Sequence, residues 1–321
     1  MSALASRGDV RLAEELVSEA LGLITDQPDT LNLKIATAAL AEMRDAFAMF
    51  EPYRDQRKVS IFGSARINTD DPLYDQARRL AAALAERGWM TVTGAGPGIM
   101  QAGMEGAGKQ RSIGVSIRLP FETGANSVIA GDAKHVSMKY FFTRKLMLIK
   151  ESQAFVCLPG GFGTLDETFE LLTLTQTGKG MPVPIVLLDA PDDPYWESID
   201  TFVRDTLIAR GLVAARDTAA AVIERFYSNY HSIRFVGDNL VIRMQTGPTP
   251  EQLATLNERF GHLVAKGTID VVEPFKTERR DDDHVDLDRV AFNFSKRGYS
   301  ELISMIDVIN DYPGSVTSRS T

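Results

Sequence analysis

The stretch that decides the fold is AFVCLPGGFGTLDE, residues 154–167. Its apolar opening predicts a short buried strand, Gly160, Gly161 and Gly163 predict a tight loop, and the pattern from Thr164 onwards predicts a helix. A loop without side chains lets backbone N–H groups approach an anion, and the start of a helix adds partial positive charge. The stretch therefore favours a phosphate site, with a plain strand–helix turn as the alternative.

Two glycine loops earlier in the chain also follow short apolar strands. The strand at 59–62 leads into residues 63–64, and the strand at 90–93 leads into GAGPG at 94–98. Parallel sheets bind ligands beyond the carboxyl ends of their strands, so three glycine loops at one edge predict a ligand site there. The loop residues concerned are Gly63, Ser64, Gly94, Gly96 and Gly98.

The alternation of short strands with helices after Lys58 predicts an α/β fold, a Rossmann-like parallel sheet with helices on both faces. The predicted divisions are an N-terminal helical segment at 1–56, the Rossmann-like domain at 57–227, a small C-terminal α/β module at 228–312 and a tail at 313–321. The pattern predicts helices at 9–25, 31–50, 72–87, 137–151, 194–209, 217–226, 249–265 and 299–309. It also predicts a hairpin at 233–244 and strands at 112–117, 184–188, 268–272 and 287–292.

The composition excludes several classes of function. The chain has 321 residues, a net charge of -8 and a pI of about 5.2, so nucleic acid and anionic membranes are not expected partners. Its single cysteine, Cys157, falls in a strand and is predicted to be buried and inert, and His135 is predicted to lie in a loop. The histidines lack metal-ligand spacing, and no signal peptide is evident. We expect a cytoplasmic protein that needs no metal.

The carboxylate of Glu167 can be interpreted in two ways from spacing alone. Thr164 and Glu167 have the Thr-x-x-Glu spacing of a capping box, which would bind the carboxylate to backbone N–H groups. The functional interpretation places the same carboxylate at the mouth of the anion site, and Asp166 could serve either purpose. The spacing favours neither interpretation.

Two adjacent cations interrupt the apolar stripe of the predicted helix at 137–151. Helical geometry puts Lys145 near the middle of the stripe and Arg144 at its edge. Such placement indicates either an inward-facing cationic patch or a side chain that extends to an ordinary salt bridge on the helix flank.

Three segments together resemble the LOG family: GAGPGIM at 94–100, FFTRK at 141–145 and PGGFGTLDE at 159–167. Their order and spacing fit, PGGxGTxxE matches at every fixed position, and the resemblance spans about residues 57–212. It implies a phosphoribohydrolase that splits nucleoside 5′-monophosphates, cytokinin ribotides included, into free base and ribose 5-phosphate. It also implies a homo-oligomer without metal or organic cofactor, in which 57–227 is the nucleotide-binding catalytic domain.

The resemblance implies that Arg144 and Glu167 are the catalytic residues. Breaking the ribosyl C1′–N bond builds positive charge on the sugar, which a carboxylate stabilises while it orients or deprotonates water. Arg144 would orient the substrate and balance charge. The substrate-binding residues expected with them are Gly63, Ser64, Gly94, Gly96, Gly98, Lys145, Gly160, Gly161, Gly163 and Thr164.

Two departures separate the chain from shorter plant-type members of that family. Those members have M-H-E-R-K where this chain has residues 141–145, so Thr143 replaces their glutamate. They also have three glycines where this chain has Gly94-Ala95-Gly96. The chain is similar to the longer bacterial members, which favours a general nucleotide such as AMP over a cytokinin ribotide.

Two other functions stay open on the sequence. A non-catalytic nucleotide-binding or carrier protein would use the same glycine loops, with Glu167 acting only as a cap. A pyridoxal-phosphate decarboxylase, after the old "lysine decarboxylase" label of the family, would need a Schiff-base lysine, for which Lys145 is the site-proximal candidate.

Overall fold

The computed structural model describes residues 10–26, 29–119, 124–180, 182–190, 193–212, 226–296 and 298–312. Its helices are α1 (Val10–Thr25), α2 (Thr30–Phe50), α3 (Pro72–Glu86), α4 (Ile99–Ala107), α5 (Phe141–Lys150), α6 (Phe162–Thr177), α7 (Tyr195–Phe202), α8 (Pro250–Phe260), α9 (Lys276–Asp281) and α10 (Tyr299–Asn310). Its strands are β1 (Lys58–Phe62), β2 (Met90–Thr93), β3 (Ser112–Ile117), β4 (His135–Met138), β5 (Ala154–Cys157), β6 (Ile185–Leu187), β7 (Tyr230–Val236), β8 (Asn239–Met244), β9 (Val264–Val271) and β10 (Asp288–Phe294).

The first sheet has six parallel strands in the order β4-β3-β2-β1-β5-β6. The chain moves outwards in one direction from β1 to β4 and then returns to the other side of β1 with β5, so the strand order reverses between β1 and β5. At that point Phe62 pairs with Cys157, and the two glycine loops leave the sheet side by side. Ligands of open α/β sheets bind at this kind of reversal. The predicted Rossmann-like α/β fold is confirmed.

Apolar side chains pack against both faces of this sheet because successive residues of a strand point to opposite faces. On one face, Val59 and Ile61 of β1 pack against α3 and α4. On the other, Phe62 and Phe155 pack with α2, α5, α6 and α7. Both faces are therefore covered by helices, so a ligand is expected at the carboxyl ends of the strands.

The second sheet is antiparallel, in the order β7-β8-β10-β9. Helices α8 and α10 cover one face with an apolar core. The other face carries Arg243 and Arg289, which pair with Glu278 of α9. The predicted hairpin is confirmed as β7 and β8, whose Val236 and Asn239 flank the turn. The division of the chain at 56, 227 and 312 stays a prediction.

The two N-terminal helices differ in their packing. Helix α2 buries Ala39, Glu42, Ala46 and Phe50, whereas α1 buries none of its residues. Its apolar stripe is exposed, as at Leu16 and Val17. Within the described residues no helix has both the length and the apolar content needed to span a bilayer.

Several predicted boundaries were wrong. The helix expected at 137–151 begins at Phe141, because Ser137 and Met138 belong to β4 and pair with β3. His135, expected in a loop, begins that strand. The helix expected at 249–265 ends at Phe260, and β9 begins at residue 264. The helix expected at 194–209 changes to π geometry after residue 202. Of the helix expected at 217–226, residues 217–225 lie outside the described residues, as does the tail.

Candidate active site

A cleft of about 730 Å³ lies at the carboxyl edge of the parallel sheet. Loops after β1, β2, β3 and β5 and the first turns of α5 and α6 form its walls. The predicted site residues that line it are Gly63, Ser64, Gly94, Gly96, Arg144, Gly161, Gly163, Thr164 and Glu167. Three others, Gly98, Gly160 and Lys145, are not among its lining residues.

The three glycines of the PGGFGT loop have different surroundings: one is tightly packed, and two face open space. A Cβ added to Gly160 would lie 2.2 Å from Thr164 Oγ1, and the Gly160 carbonyl accepts a hydrogen bond from Tyr195 Oη at 2.7 Å. A Cβ added to Gly161 or Gly163 would meet no described atom within 4 Å. Gly160 therefore serves the fold, whereas the other two leave free space beside the start of α6.

Gly98 allows two of the glycine loops to approach each other closely. It has a φ of +66°, and a Cβ there would lie 2.3 Å from the Ser64 carbonyl oxygen. The same carbonyl accepts the Ile99 N–H at 3.0 Å, while the Ser64 N–H donates to Pro159 O at 3.1 Å. The three glycine loops are thus hydrogen-bonded to one another through Ser64.

The capping-box interpretation of Glu167 is wrong. Helix α6 begins at Phe162 with Gly161 at its N-cap, so Thr164 and Glu167 lie inside the helix rather than at its start. Glu167 is 7% exposed, and no hydrogen-bond donor among the described residues reaches its buried Oε2. The carboxylate is therefore buried at the cleft and not engaged in capping.

The charge state of Glu167 reflects this burial. Desolvation raises the pKa of its carboxyl from 4.5 to about 7, while the nearby charges of Lys145 and Arg144 pull the pKa down. Glu170 and Asp166 add a smaller upward contribution. A carboxyl poised near neutrality can act as a general base or acid.

Arg144 reaches the cleft because Gly94 has no side chain. Its Nε donates to the Val115 carbonyl at 3.0 Å, and a Cβ added to Gly94 would lie 2.0 Å from its Nη2. Any larger residue at position 94 would displace the guanidinium. The structure thus brings Arg144 and Glu167 to one cleft, as the sequence predicted.

Lys145 points to a row of carboxylates on α6 instead of the cleft. Its ammonium binds Asp166 at 3.0 Å, contacts Glu170, and lies 3.9 Å from Glu167 Oε2. Burial lowers the pKa of Lys145, but hydrogen bonds to Glu170 and Asp166 outweigh it and raise the pKa overall. The side chain is therefore a charged ammonium, unlike the free amine that forms a Schiff base.

Cys157 lies beneath the cleft at the end of β5. It is fully buried, and desolvation raises the pKa of its thiol to about 12. The buried position expected for Cys157 is confirmed, and the raised pKa of its thiol favours the inert character expected with it.

Some cleft residues escaped the sequence analysis. Arg66 lines the cleft three residues after Gly63, and Phe162 lines it with 93% of its surface exposed. Ser116 also lines it, with its hydroxyl 2.8 Å from His135 Nε2. Arg66 carried a usable signal, because it lies two residues after Ser64 in the chain that leaves β1. In the described ranges no three His, Cys, Asp or Glu side chains are grouped so that they could hold a metal ion.

Comparison with known proteins points to one group. A family model described as "Possible lysine decarboxylase" matches residues 98–228. The chain is 27% identical over 229 residues to the probable cytokinin riboside 5'-monophosphate phosphoribohydrolase LOGL1 of Oryza sativa subsp. japonica, over 68% of this chain and 97% of that protein. It is 30% identical to LOGL3 of the same plant, likewise a probable phosphoribohydrolase, over 59% of this chain and 92% of that protein. It is also 30% identical to the phosphoribohydrolase LOG2 of Arabidopsis thaliana, over 52% and 76% respectively.

Proposed function

Because this chain belongs to the LOG family, whose curated relatives are named phosphoribohydrolases, we propose that its cleft hydrolyses the N-glycosidic bond of nucleoside 5′-monophosphates. The products would be a free base and ribose 5-phosphate. AMP is the first substrate we expect, and cytokinin ribotides belong to the same chemical class.

The observation that carries the proposal is the buried Oε2 of Glu167, which lies at the cleft without a hydrogen-bond donor among the described residues. Leaving a buried carboxylate oxygen unsatisfied costs free energy, so its presence at a cleft favours a use in chemistry. As the C1′–N bond breaks, the sugar gains positive charge, which an adjacent carboxylate stabilises. The same carboxylate would accept a proton from the attacking water as the water oxygen bonds to C1′, and that proton would pass to the base nitrogen, which leaves with the electron pair of the broken C1′–N bond.

The phosphate of the substrate would bind at the start of α6. The first N–H groups of a helix have no partner within the helix, and its positive end attracts an anion. Open space beside Gly161 and Gly163 leaves room for the phosphate, with Thr164 adjoining. Arg66 would add a charge at the cleft, and the binding energy gained from this remote group would position the sugar.

Arg144 would orient the substrate and balance the charge of Glu167 as that group ionises. Gly63 and Ser64 would border the base. Lys145, held by the acidic residues of α6, would act on Glu167 rather than on the substrate. This modifies the role of Lys145 expected from the sequence.

The direct test is to incubate the purified protein with AMP, GMP, CMP, UMP and a cytokinin ribotide and to measure free base by chromatography. The proposal expects base release from at least one nucleotide and its loss in Glu167→Gln, with nucleotide binding retained. A non-catalytic carrier would instead bind nucleotide in calorimetry without turnover. If every nucleotide stayed intact after long incubation with an excess of protein, that result would contradict the proposed hydrolase activity.

The homo-oligomer and the cytoplasmic location stay predictions. The exposed apolar stripe of α1 is consistent with assembly. Light scattering at several protein concentrations measures the mass of the particle, and a single-chain mass throughout would contradict an oligomer.

A further inference from the structure

The first turn of α5 is closed by a carboxylate from a distant part of the chain. The N-cap residue of this helix, Tyr140, makes no capping hydrogen bond through its side chain to any described residue. Glu42 of α2 occupies that place instead, and it is only 6% exposed. Helix α2 lies outside the family-model match at 98–228.

Both oxygens of Glu42 are engaged there. Oε1 accepts the Lys139 N–H at 2.5 Å and lies 3.2 Å from Arg118 Nη2. Oε2 accepts the Thr143 hydroxyl at 2.6 Å and lies 3.5 Å from the Tyr140 N. A buried charge is tolerated when hydrogen bonds satisfy it, and the positive end of a helix favours a carboxylate. The arrangement fixes three points, at Lys139, Tyr140 and Thr143, of the turn that precedes Arg144.

The position of Arg144 depends on this turn, because the backbone of Arg144 is bonded to it. Its N–H donates to the Tyr140 carbonyl at 3.3 Å, and it directly follows Thr143. The other end of the residue is held where Nε donates to Val115 O and Nη2 lies against Gly94. Moving the first turn of α5 would therefore move the guanidinium out of the space that Gly94 leaves.

We propose that Glu42 is a positioning residue, which holds the first turn of α5 so that Arg144 stays in the cleft. The N-terminal helical segment is then a working part of the site. The expected effect on kcat/KM rests on the proposed function. The expected effect of Glu42 on the first turn of α5 does not.

The test is a double-mutant cycle of Glu42→Gln with Arg144→Ala, measured as kcat/KM for the nucleotide turned over fastest. Gln keeps the shape but turns an NH2 group towards donors. We expect Glu42→Gln to lower kcat/KM roughly tenfold to a hundredfold alone, since small misplacements of reacting groups have such effects, and less than about twofold beside Arg144→Ala. A merely structural role would lower kcat/KM by the same factor in both backgrounds, and that result would overturn the inference.

Two further variants keep the test interpretable. Thr143→Val removes one donor to Glu42 and should give a smaller loss with the same dependence on Arg144. Asp45→Asn removes an exposed charge on the same helix, which pairs with Arg44 at the surface, and should leave kcat/KM unchanged. Wild-type kcat/KM in Glu42→Gln would also overturn the inference.

If the protein hydrolyses no nucleotide, the proposed function is wrong, and the role of Glu42 is tested without turnover. The cycle is then measured as the Kd for AMP, together with hydrogen exchange at the Lys139 and Tyr140 amides. The inference expects faster exchange at these amides in Glu42→Gln, and weaker AMP binding only when Arg144 is present. Unchanged exchange at these amides, or equal weakening of AMP binding in both backgrounds, would overturn it; if the wild-type protein binds no AMP, the exchange rates alone decide.

Discussion

Two of the buried glutamates, Glu278 and Glu167, have opposite surroundings. Glu278, on the polar face of the second sheet, is 0% exposed and is hydrogen-bonded to Arg243, Arg289 and the Phe275 N–H. Glu167, at the cleft, is nearly as buried, but its Oε2 has no hydrogen-bond donor among the described residues.

Their pKa values move in opposite directions as a result. Burial raises the pKa of both carboxyls, and at Glu167 burial prevails, giving about 7. At Glu278 the Phe275 N–H, the hydrogen bond from Arg243 and the charges of both arginines outweigh burial and lower the pKa. Burial alone therefore does not identify a functional carboxylate, whereas burial without partners at a cleft does point to one.

The largest expected effect is on chemistry at Glu167. Glu167→Gln should lower kcat by roughly 10³- to 10⁴-fold, because it removes both the base and the charge that stabilises the sugar cation. KM for AMP should change little, and steady-state kinetics measures both. Glu197→Gln, an exposed change on α7, is the control. If kcat of Glu167→Gln were within a few-fold of the wild-type value, Glu167 would not be the catalytic carboxylate.

Next in size is the effect on stability at Glu278. Glu278→Gln leaves Arg289 buried without a charge partner in the described part of the chain, whereas Arg243 keeps Asp283 at 2.8 Å, and it should lower the free energy of unfolding by roughly 3 kcal/mol. Urea unfolding measures it, with the exposed Glu273→Gln as the control. The folded fraction should keep its activity towards nucleotide. If Glu278→Gln were as stable as Glu273→Gln, the network would not stabilise the fold in the way proposed.

The pH dependence of stability should have opposite signs at the two residues. A carboxyl with a raised folded pKa holds its proton more tightly when folded, so Glu167 should lower the free energy of unfolding as pH rises from 4.5 to about 7. At about 1.4 kcal/mol per pKa unit, the span is roughly 3 kcal/mol. Glu278 stabilises above its unfolded pKa and loses that contribution as pH falls through its folded pKa.

Urea unfolding of the wild type and Glu167→Gln between pH 4.5 and 8 measures the first of these contributions. The wild type should lose stability relative to the variant across this range. Parallel curves for the two proteins would mean that Glu167 titrates normally.

The smallest expected effect comes from the partial partner of Glu167. Lys145→Met removes a positive charge 3.9 Å from Oε2, so the pKa of Glu167 should rise further. The acidic limb of the kcat–pH profile should move to higher pH by about 0.5 to 1 unit. Lys179→Met, the same change beyond the other end of α6, should leave the profile in place. A shift to lower pH would contradict the electrostatic role given to Lys145.

The sequence was sufficient for the parallel sheet and for the gathering of its glycine loops, because strand, glycine and helix signals are local. It could not choose between two roles for Glu167, since that choice depended on whether α6 begins at Thr164 or at Phe162. The apolar residues Val136 and Met138 fit a helix as well as a strand, and pairing with β3 decided the outcome. Glu42 gave no signal, because its partners lie about a hundred residues away along the chain.

The lone thiol beneath the cleft offers a practical consequence. Because Cys157 is enclosed in β5 and its pKa is about 12, an alkylating reagent should modify it only when this part of the sheet opens. Its labelling rate therefore reports opening around the site in the unmodified chain, without a cysteine-free background. Slower labelling of Cys157 in the presence of AMP would indicate ligand binding at the carboxyl end of β5.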